Sequence, residues 1–318
     1  VHNTKLAESR YKIVFMGTPG FAVPTLKALV KSENDVVSVI TKPDTPKGRG
    51  QRVTPPPIKT VAIDCNIPVL QPEKIKTEEF YSELKEYEPD IICVAAYGKI
   101  LPKNILDLPH YGCINVHASL LPKYRGAAPI NWAIIRGQEI TGITTMMMDE
   151  GMDTGDILLQ REVKIEVKDD AESLSEKLSI TGAELLIDTI RLQKKGKLPR
   201  IPQDDSKATY APMLKKEDGI IDWRKSAEEI VNLIRGTLPW PGAHTTISGK
   251  NVKLYKAEVS HGIGQPGEVI LSESGSLRVA TGDGAVDIRE IQIEGGKRLP
   301  IQTFLIGRKI PRGSILGK

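Results

Sequence analysis

The alternation of short β-branched runs with helical stretches in the first half of the chain limits its fold more than any other feature. Residues 12–16 form a β-branched and aromatic run that stops at Gly17-Thr18-Pro19-Gly20, a helical pattern over 22–31 follows, and a strand is expected over 36–40. Two neighbouring strands joined by a helix lie parallel, with a right-handed crossover. The pattern recurs. A helix near 58–64 precedes Val69-Leu70, one near 78–87 precedes a strand over 91–95, and 113–117 is the next strand. The spacing therefore predicts an α/β domain, a Rossmann-like open, mostly parallel sheet with helices on both faces. Residues 140–148 and 157–165 read as a strand pair around a turn, and 171–195 as a long helix closing the domain.

A charged, turn-rich stretch without periodicity then interrupts the pattern. It sets a linker at 198–212, between a first domain over 10–197 and a second over 213–318. Residues 1–9 are polar and aperiodic and read as a disordered leader. Past the linker one helix is expected over 227–235. Short strands then alternate with Gly turns at 245–247, 252–258, 267–271, 277–280 and 286–292, a pattern suited to a small barrel or sandwich.

A chain of 318 residues can bury a large core and divide into two domains. With 40% hydrophobic and 26% charged residues it is not a disordered chain. No apolar run approaches a membrane span and no signal peptide is visible, so a cytoplasmic protein without a membrane partner is expected. A net charge of +4 does not by itself announce a nucleic-acid partner, but no acid follows Glu294, whereas Lys297, Arg298, Arg308, Lys309, Arg312 and Lys318 all do. Cys65, Cys93 and Cys113 lack metal-ligand spacing and read as reduced core or near-core residues; no metal is expected.

The chemistry concentrates in one segment and one later acid. Asn115 and His117 lie two apart on a predicted strand, so they share a face at its carboxyl end, where open α/β sheets bind ligands. Asp153, on the Gly-flanked turn 149–156, can close the set. An amide, an imidazole and a carboxylate suit acyl transfer without a protein nucleophile. His117 can relay a proton, the Asn115 amide can stabilise a tetrahedral oxyanion, and Asp153 can orient His117 or carry a proton through water. The competing reading makes Asn115 and His117 loop caps and Asp153 a turn former. The Gly17-Thr18-Pro19-Gly20 turn has the position of a nucleotide loop but lacks G-x-G-x-x-G spacing, and Pro19 has no N–H to offer, which disfavours an NAD-dependent oxidoreductase. Residues 42–59 carry Lys42, Lys47, Arg49, Arg52 and Lys59 against the single acid Asp44, with prolines and glycines that preclude a long helix. Such a loop is either solvated and mobile or a reader of an anionic partner at the sheet's ligand edge.

The run N-V-H-A-S-L-L-P-K-Y-R-G-A-A-P-I, with G-M-D-T-G-D-I-L downstream, resembles the folate-dependent formyltransferase superfamily. The resemblance extends to Phe15-Met16-Gly17-Thr18-Pro19, to Thr41-Lys42-Pro43-Asp44 through Gly48-Arg49-Gly50, to residues 94–102 and to residues 238–243. Along nearly the whole chain the similarity is to the methionyl-tRNA formyltransferase family within that superfamily. It implies an Asn115–His117–Asp153 triad, 10-formyltetrahydrofolate as co-substrate, charged initiator methionyl-tRNA as partner and a C-terminal OB-like β-barrel domain. It implies a folate-binding stretch over Ser119, Leu120, Leu121 and Pro122, in which the leucines would line an apolar slot for a pteridine. Tyr97 and Ile100 are expected nearby, the first through its backbone and the second as a wall. By the same resemblance Lys42, Lys47, Arg49 and Arg52 would meet the tRNA acceptor arm, with Arg49 central. Arg125 and Lys123 are left between the folate's glutamate tail, RNA and solvent. A monomer is expected. The alternatives are formyl transfer to an amino sugar or a glycinamide ribonucleotide, or an RNA-binding module without activity.

Overall fold

A computed structural model describes residues 10–47, 52–273 and 275–317; the expected leader at 1–9 lies outside them. Two compact units emerge. The first comprises the described residues up to Pro129 with Ile140–Lys164 and Ser175–Ala211; the second comprises Ile130–Glu139, Ile165–Leu174 and the chain from Pro212 onward. Residues 198–211 thus belong to the first unit rather than spanning free between two bodies.

The first half of the chain runs β1 (Lys12–Gly17), α1 (Val23–Lys31), β2 (Asp35–Ile40), β3 (Thr45–Lys47), β4 (Arg52–Thr54), α2 (Pro57–Asp64), β5 (Val69–Leu70), α3 (Glu78–Lys85), β6 (Ile91–Ala95), α4 (Lys103–Leu106) and β7 (Cys113–His117). It continues through α5 (Pro129–Ile135), β8 (Ile140–Met147), β9 (Ile157–Lys164) and α6 (Ala171–Lys194). The seven-stranded sheet has the order β5-β2-β1-β6-β7-β8-β9. Pairing is parallel from β5 to β7 and antiparallel between β7, β8 and β9. The chain therefore moves outward from β1 to β2 and β5, then returns to the other side of β1 with β6 and β7. Such a reversal opens a crevice at the carboxyl ends of the strands.

Side-chain alternation explains how both faces are covered. Val14 and Met16 of β1 and Ile92 and Val94 of β6 pack in one cluster with Phe80 and Leu84 of α3 and Ile105 and Leu106 of α4. Helix α3 forms because Thr77 caps it, accepting from the Phe80 N–H at 3.3 Å, and because Glu78 and Glu79 sit in its first turn. Its i, i+4 pair Phe80 and Leu84 is buried while its acids face water, and burial of each such side chain contributes roughly 1.5–3 kcal/mol. On the opposite face α6 lies against the sheet so closely that a Cβ at Gly182 would come within 2.7 Å of Val116 Cγ1. A strand covered on both sides reads as an unbroken apolar run, as β6 does.

In the second unit α7 (Ala227–Gly236) opens with Ser226 and Glu229 in a reciprocal cap. It is followed by β10 (Ala243–Ile247), β11 (Lys250–Ser260), β12 (Val269–Glu273), β13 (Ser276–Ala280), β14 (Ala285–Ile293), β15 (Leu299–Pro300) and α8 (Ile301–Gly307). These strands form an antiparallel sheet of order β10-β11-β14-β13-β12, with β15 on β14. Ile230 and Ile234 of α7 join Val252, Leu254, Ile288 and Ile291 in its core, and Trp223 donates its indole N–H to Thr245 Oγ1 at 3.1 Å. Among the described residues no helix is long and apolar enough to cross a membrane.

Candidate active site

Strand β7 carries Asn115 and His117 on one face, and its register sets them opposite Met146 and Thr144 of β8. His117 is 6% exposed at the strand's carboxyl end, and its Nε2 lies 3.0 Å from the Tyr124 carbonyl. A carbonyl only accepts, so Nε2–H is the donor and Nδ1 is the nitrogen left toward Asp153. Nδ1 stands 3.6 Å from Asp153 Oδ1, longer than a hydrogen bond. The other Asp153 oxygen, Oδ2, accepts from the Gly126 N–H at 2.8 Å. Gly126 has φ +119, and a Cβ there would come within 2.7 Å of the Ala211 carbonyl, so only glycine lets this amide reach the carboxylate. Asn115 is half-buried, and among the described residues its amide has no hydrogen-bond partner. The three expected residues thus meet at one strand end, with the His117–Asp153 contact direct.

The 119–126 loop is held from below. Thr144 Oγ1 donates to the Ser119 carbonyl at 2.7 Å and accepts from the Leu121 N–H at 3.1 Å, while Gln160 Nε2 donates to the Leu121 carbonyl at 2.9 Å. The Ser119 hydroxyl donates to the Lys123 carbonyl at 2.6 Å. Leu121 is buried and packs with Met146 and Ile157, so it anchors the loop instead of forming an open wall of a slot. Leu120 is half-buried and lies against Gly142, whose added Cβ would come within 2.5 Å of Leu120 Cδ2. The sequence pattern could not separate these inward leucines from outward ones, because the loop has no periodicity. Pro122 is half-buried, and Ile100 is 56% exposed, which leaves it free to meet an apolar ligand. Tyr97 sits in the core cluster, its carbonyl facing the Thr18 hydroxyl at 3.5 Å; burial pushes its phenol up to about 12 and keeps it neutral.

Arg125 serves none of the three ends left open for it. It is 2% exposed, with Nε and Nη2 donating to Gln203 Oε1 at 3.1 and 2.8 Å and Nη2 donating to Asp205 Oδ1 at 2.7 Å. Lys123 is exposed. Gln203, Thr144, Gln160 and the Tyr124 carbonyl are the site residues that sequence reasoning missed. Gln203 was hidden because it falls in an aperiodic stretch that resembles a linker.

The basic loop forms a two-stranded hairpin, in which Lys47 and Arg52 are paired in register. Arg49 lies outside the described residues. Asp44 accepts from Lys59 Nζ at 2.8 Å and Gln71 Nε2 at 2.7 Å, contacts that fasten the hairpin's base and hold the carboxyl below its ordinary range. Lys42 turns toward the end of β6, where a Cβ at Gly98 would come within 2.8 Å of its Nζ. Burial, and then the nearby Lys42 charge, hold the Lys99 ammonium below its usual value. The rim of the crevice therefore carries two neighbouring ammonium groups.

Comparison with known proteins shows the family. Residues 11–190 match the formyl transferase family and residues 213–309 match the formyl transferase C-terminal domain. The methionyl-tRNA formyltransferase of Caldanaerobacter subterraneus is 55% identical over 308 residues, covering 96% of this chain and 99% of its own. That of Geobacter metallireducens is 51% identical over 305 residues, covering 96% and 98%. The fold also resembles an N-formyltransferase from Helicobacter canadensis solved with folinic acid and dTDP-3-aminofucose, with a TM-score of 0.67 at 21% identity, covering 91% of this chain and 100% of that one.

Proposed function

Because this chain belongs to the formyl transferase family, we infer that it moves the formyl group of 10-formyltetrahydrofolate onto the α-amine of methionyl-tRNA, giving formylmethionyl-tRNA for translation initiation. The observation that carries the reading is the meeting of Asn115, His117 and Asp153 at the end of β7, in a chain at least half identical to methionyl-tRNA formyltransferases across both domains. The donor supplies the formyl carbon. The amine nitrogen bonds to that carbon, the bond from carbon to the folate nitrogen breaks, and one proton passes from the amine to the departing nitrogen.

The side chains divide this work. The Asn115 amide faces the developing oxyanion as a preorganised donor, a role whose loss typically costs about 3–4 kcal/mol. His117 is fixed by its Nε2–H bond to the Tyr124 carbonyl, so Nδ1 is the ring position beside the reacting atoms. A positive ring is compensated by Asp153 at 3.6 Å, and the carboxylate in turn is aimed by the Gly126 amide. Leu120 and Pro122, with the exposed Ile100, form the donor's side of the crevice, and the buried Ser119 braces it from below. Leu121 acts there by fixing the loop. Lys42, Lys47, Arg49 and Arg52 meet the acceptor end of the tRNA, whose phosphates suit cationic side chains. Catalysis lies in residues 10–197, and the antiparallel domain over 213–318 adds RNA affinity.

Initial rates with charged initiator tRNA, free methionine and a nucleotide-linked amino sugar test the assignment. Turnover confined to the charged tRNA supports it; faster formylation of the amino sugar would transfer the chain to the sugar branch of the family.

A further inference from the structure

We propose that Gln203 is a positioning residue for the His117–Asp153 pair, an inference that rests on the role given to that pair above. Its carboxamide is fully used. Nε2 donates to the Asp153 carbonyl at 2.8 Å and the Gly155 carbonyl at 2.7 Å, while Oε1 accepts from Arg125 Nε and Nη2. Each of the two loops it joins carries one partner of the imidazole. Tyr124, beside Arg125, supplies the carbonyl on Nε2, and Asp153 supplies the carboxylate facing Nδ1. Gln203 therefore sets the distance between the two groups that define the ring's position.

Backbone conformation shows why such a clamp is needed. Asp153 has φ +56 and Tyr124 has φ +61, both in the left-handed region. Residues held there cost of order 1–3 kcal/mol each and persist where surrounding bonds over-determine them. Gln203 fixes the Asp153 turn through two carbonyls. The same segment fixes the Tyr124 loop, since Thr209 Oγ1 accepts from the Tyr124 N–H at 2.9 Å and the Thr209 carbonyl accepts from the Arg125 N–H at 2.8 Å. A neutral amide suits the position because it donates twice and accepts twice without adding charge beside Asp153.

Gln203→Glu separates positioning from support. Its carboxylate still accepts from Arg125 but cannot donate to the two carbonyls and adds a charge beside Asp153, so the Asp153 turn is released at some cost in stability while the Arg125 contact remains. In the full-length protein the expected result is a kcat lowered by about tenfold to a hundredfold, the scale of a misplacement near 1 Å. KM for both substrates stays within about twofold, the protein remains folded at the assay temperature although its thermal midpoint falls, and the His117 ring ¹⁵N resonances shift in the absence of substrate. Gln203→Leu shows the same kcat loss with lower stability. Wild-type kcat and unshifted ring resonances in Gln203→Glu overturn the proposal, as does a loss confined to KM. His117→Ala, measured alongside, distinguishes the failures. If it too turns over normally, the catalytic reading has failed; if it is inactive while Gln203→Glu is native, only the positioning role has failed.

Discussion

Replacing Thr144 by Val removes one hydroxyl and keeps the side chain's shape, so its cost can be worked from three hydrogen bonds. The hydroxyl donates to the Ser119 carbonyl and accepts from the Leu121 and Gln160 N–H groups, all at 2.7–3.1 Å, and Thr144 is fully buried. Gln160 Nε2 retains a partner in the Leu121 carbonyl, but the Leu121 N–H and Ser119 carbonyl lose this one. Leaving a buried polar group unpaired costs about 1–3 kcal/mol, so losing both partners should destabilise the unit by about 2–6 kcal/mol. For units of this size that lowers Tm by about 2–4 °C per kcal/mol. Thr144→Ser keeps the hydroxyl and loses a methyl group, about 1 kcal/mol. Thermal denaturation of both variants, with titration of a folate analogue, gives the answer. The valine variant should melt lower than the serine one and bind the analogue more weakly, since the 119–122 loop hangs on that hydroxyl. Equal melting and equal affinity in the two variants would refute the reasoning.

Other expectations follow from single contacts. Gly155→Ala would press a Cβ to 1.9 Å from the Met147 carbonyl and should lower both Tm and kcat, whereas Gly20→Ala meets nothing within 4 Å and should leave Tm nearly unchanged; equal Tm losses would contradict this. Burial pushes the Cys113 thiol up to about 12 and raises Cys93 also, so a thiol reagent should label the partly exposed Cys65 in the native protein and reach the others only on unfolding. The two raised thiols stabilise the fold fully below the unfolded pKa near 8.5 and lose that contribution progressively as pH rises from there through the raised folded value, about 12 for Cys113, so Cys113→Ala should flatten the alkaline fall in stability. Arg49→Ala should lower kcat/KM for charged tRNA strongly while a folate analogue binds as before; parallel losses in both would remove Arg49 from the RNA-facing role.

The parts of this molecule legible in its sequence are those where periodicity and burial coincide. β7 could be delimited at Cys113 and His117 because both its flanks are turn-rich and the apolar Ile114 and Val116 alternate with the polar residues. The long helix α6 and the β8–β9 pair were equally plain. Helices α4 and α5 are too short to show a period, and the β3–β4 hairpin hides among prolines. At the site, β-strand alternation alone puts Asn115 and His117 on one face, whereas grouping them with Asp153 rests on the resemblance to the formyltransferase superfamily. The inward turn of Leu121 is not, because a loop has no period from which direction can be read. Gln203 escaped for a related reason. Its importance comes from bonds to residues about 50 and 78 positions away, and nothing local marks it.

The most direct test of the central claim is the rate of formyl transfer to methionyl-tRNA by His117→Ala, with folate-analogue binding measured on the same preparation. The account predicts a kcat lower by roughly 10²–10⁴, the usual worth of positioned proton transfer, with analogue binding retained. Near-native turnover by that variant would contradict it.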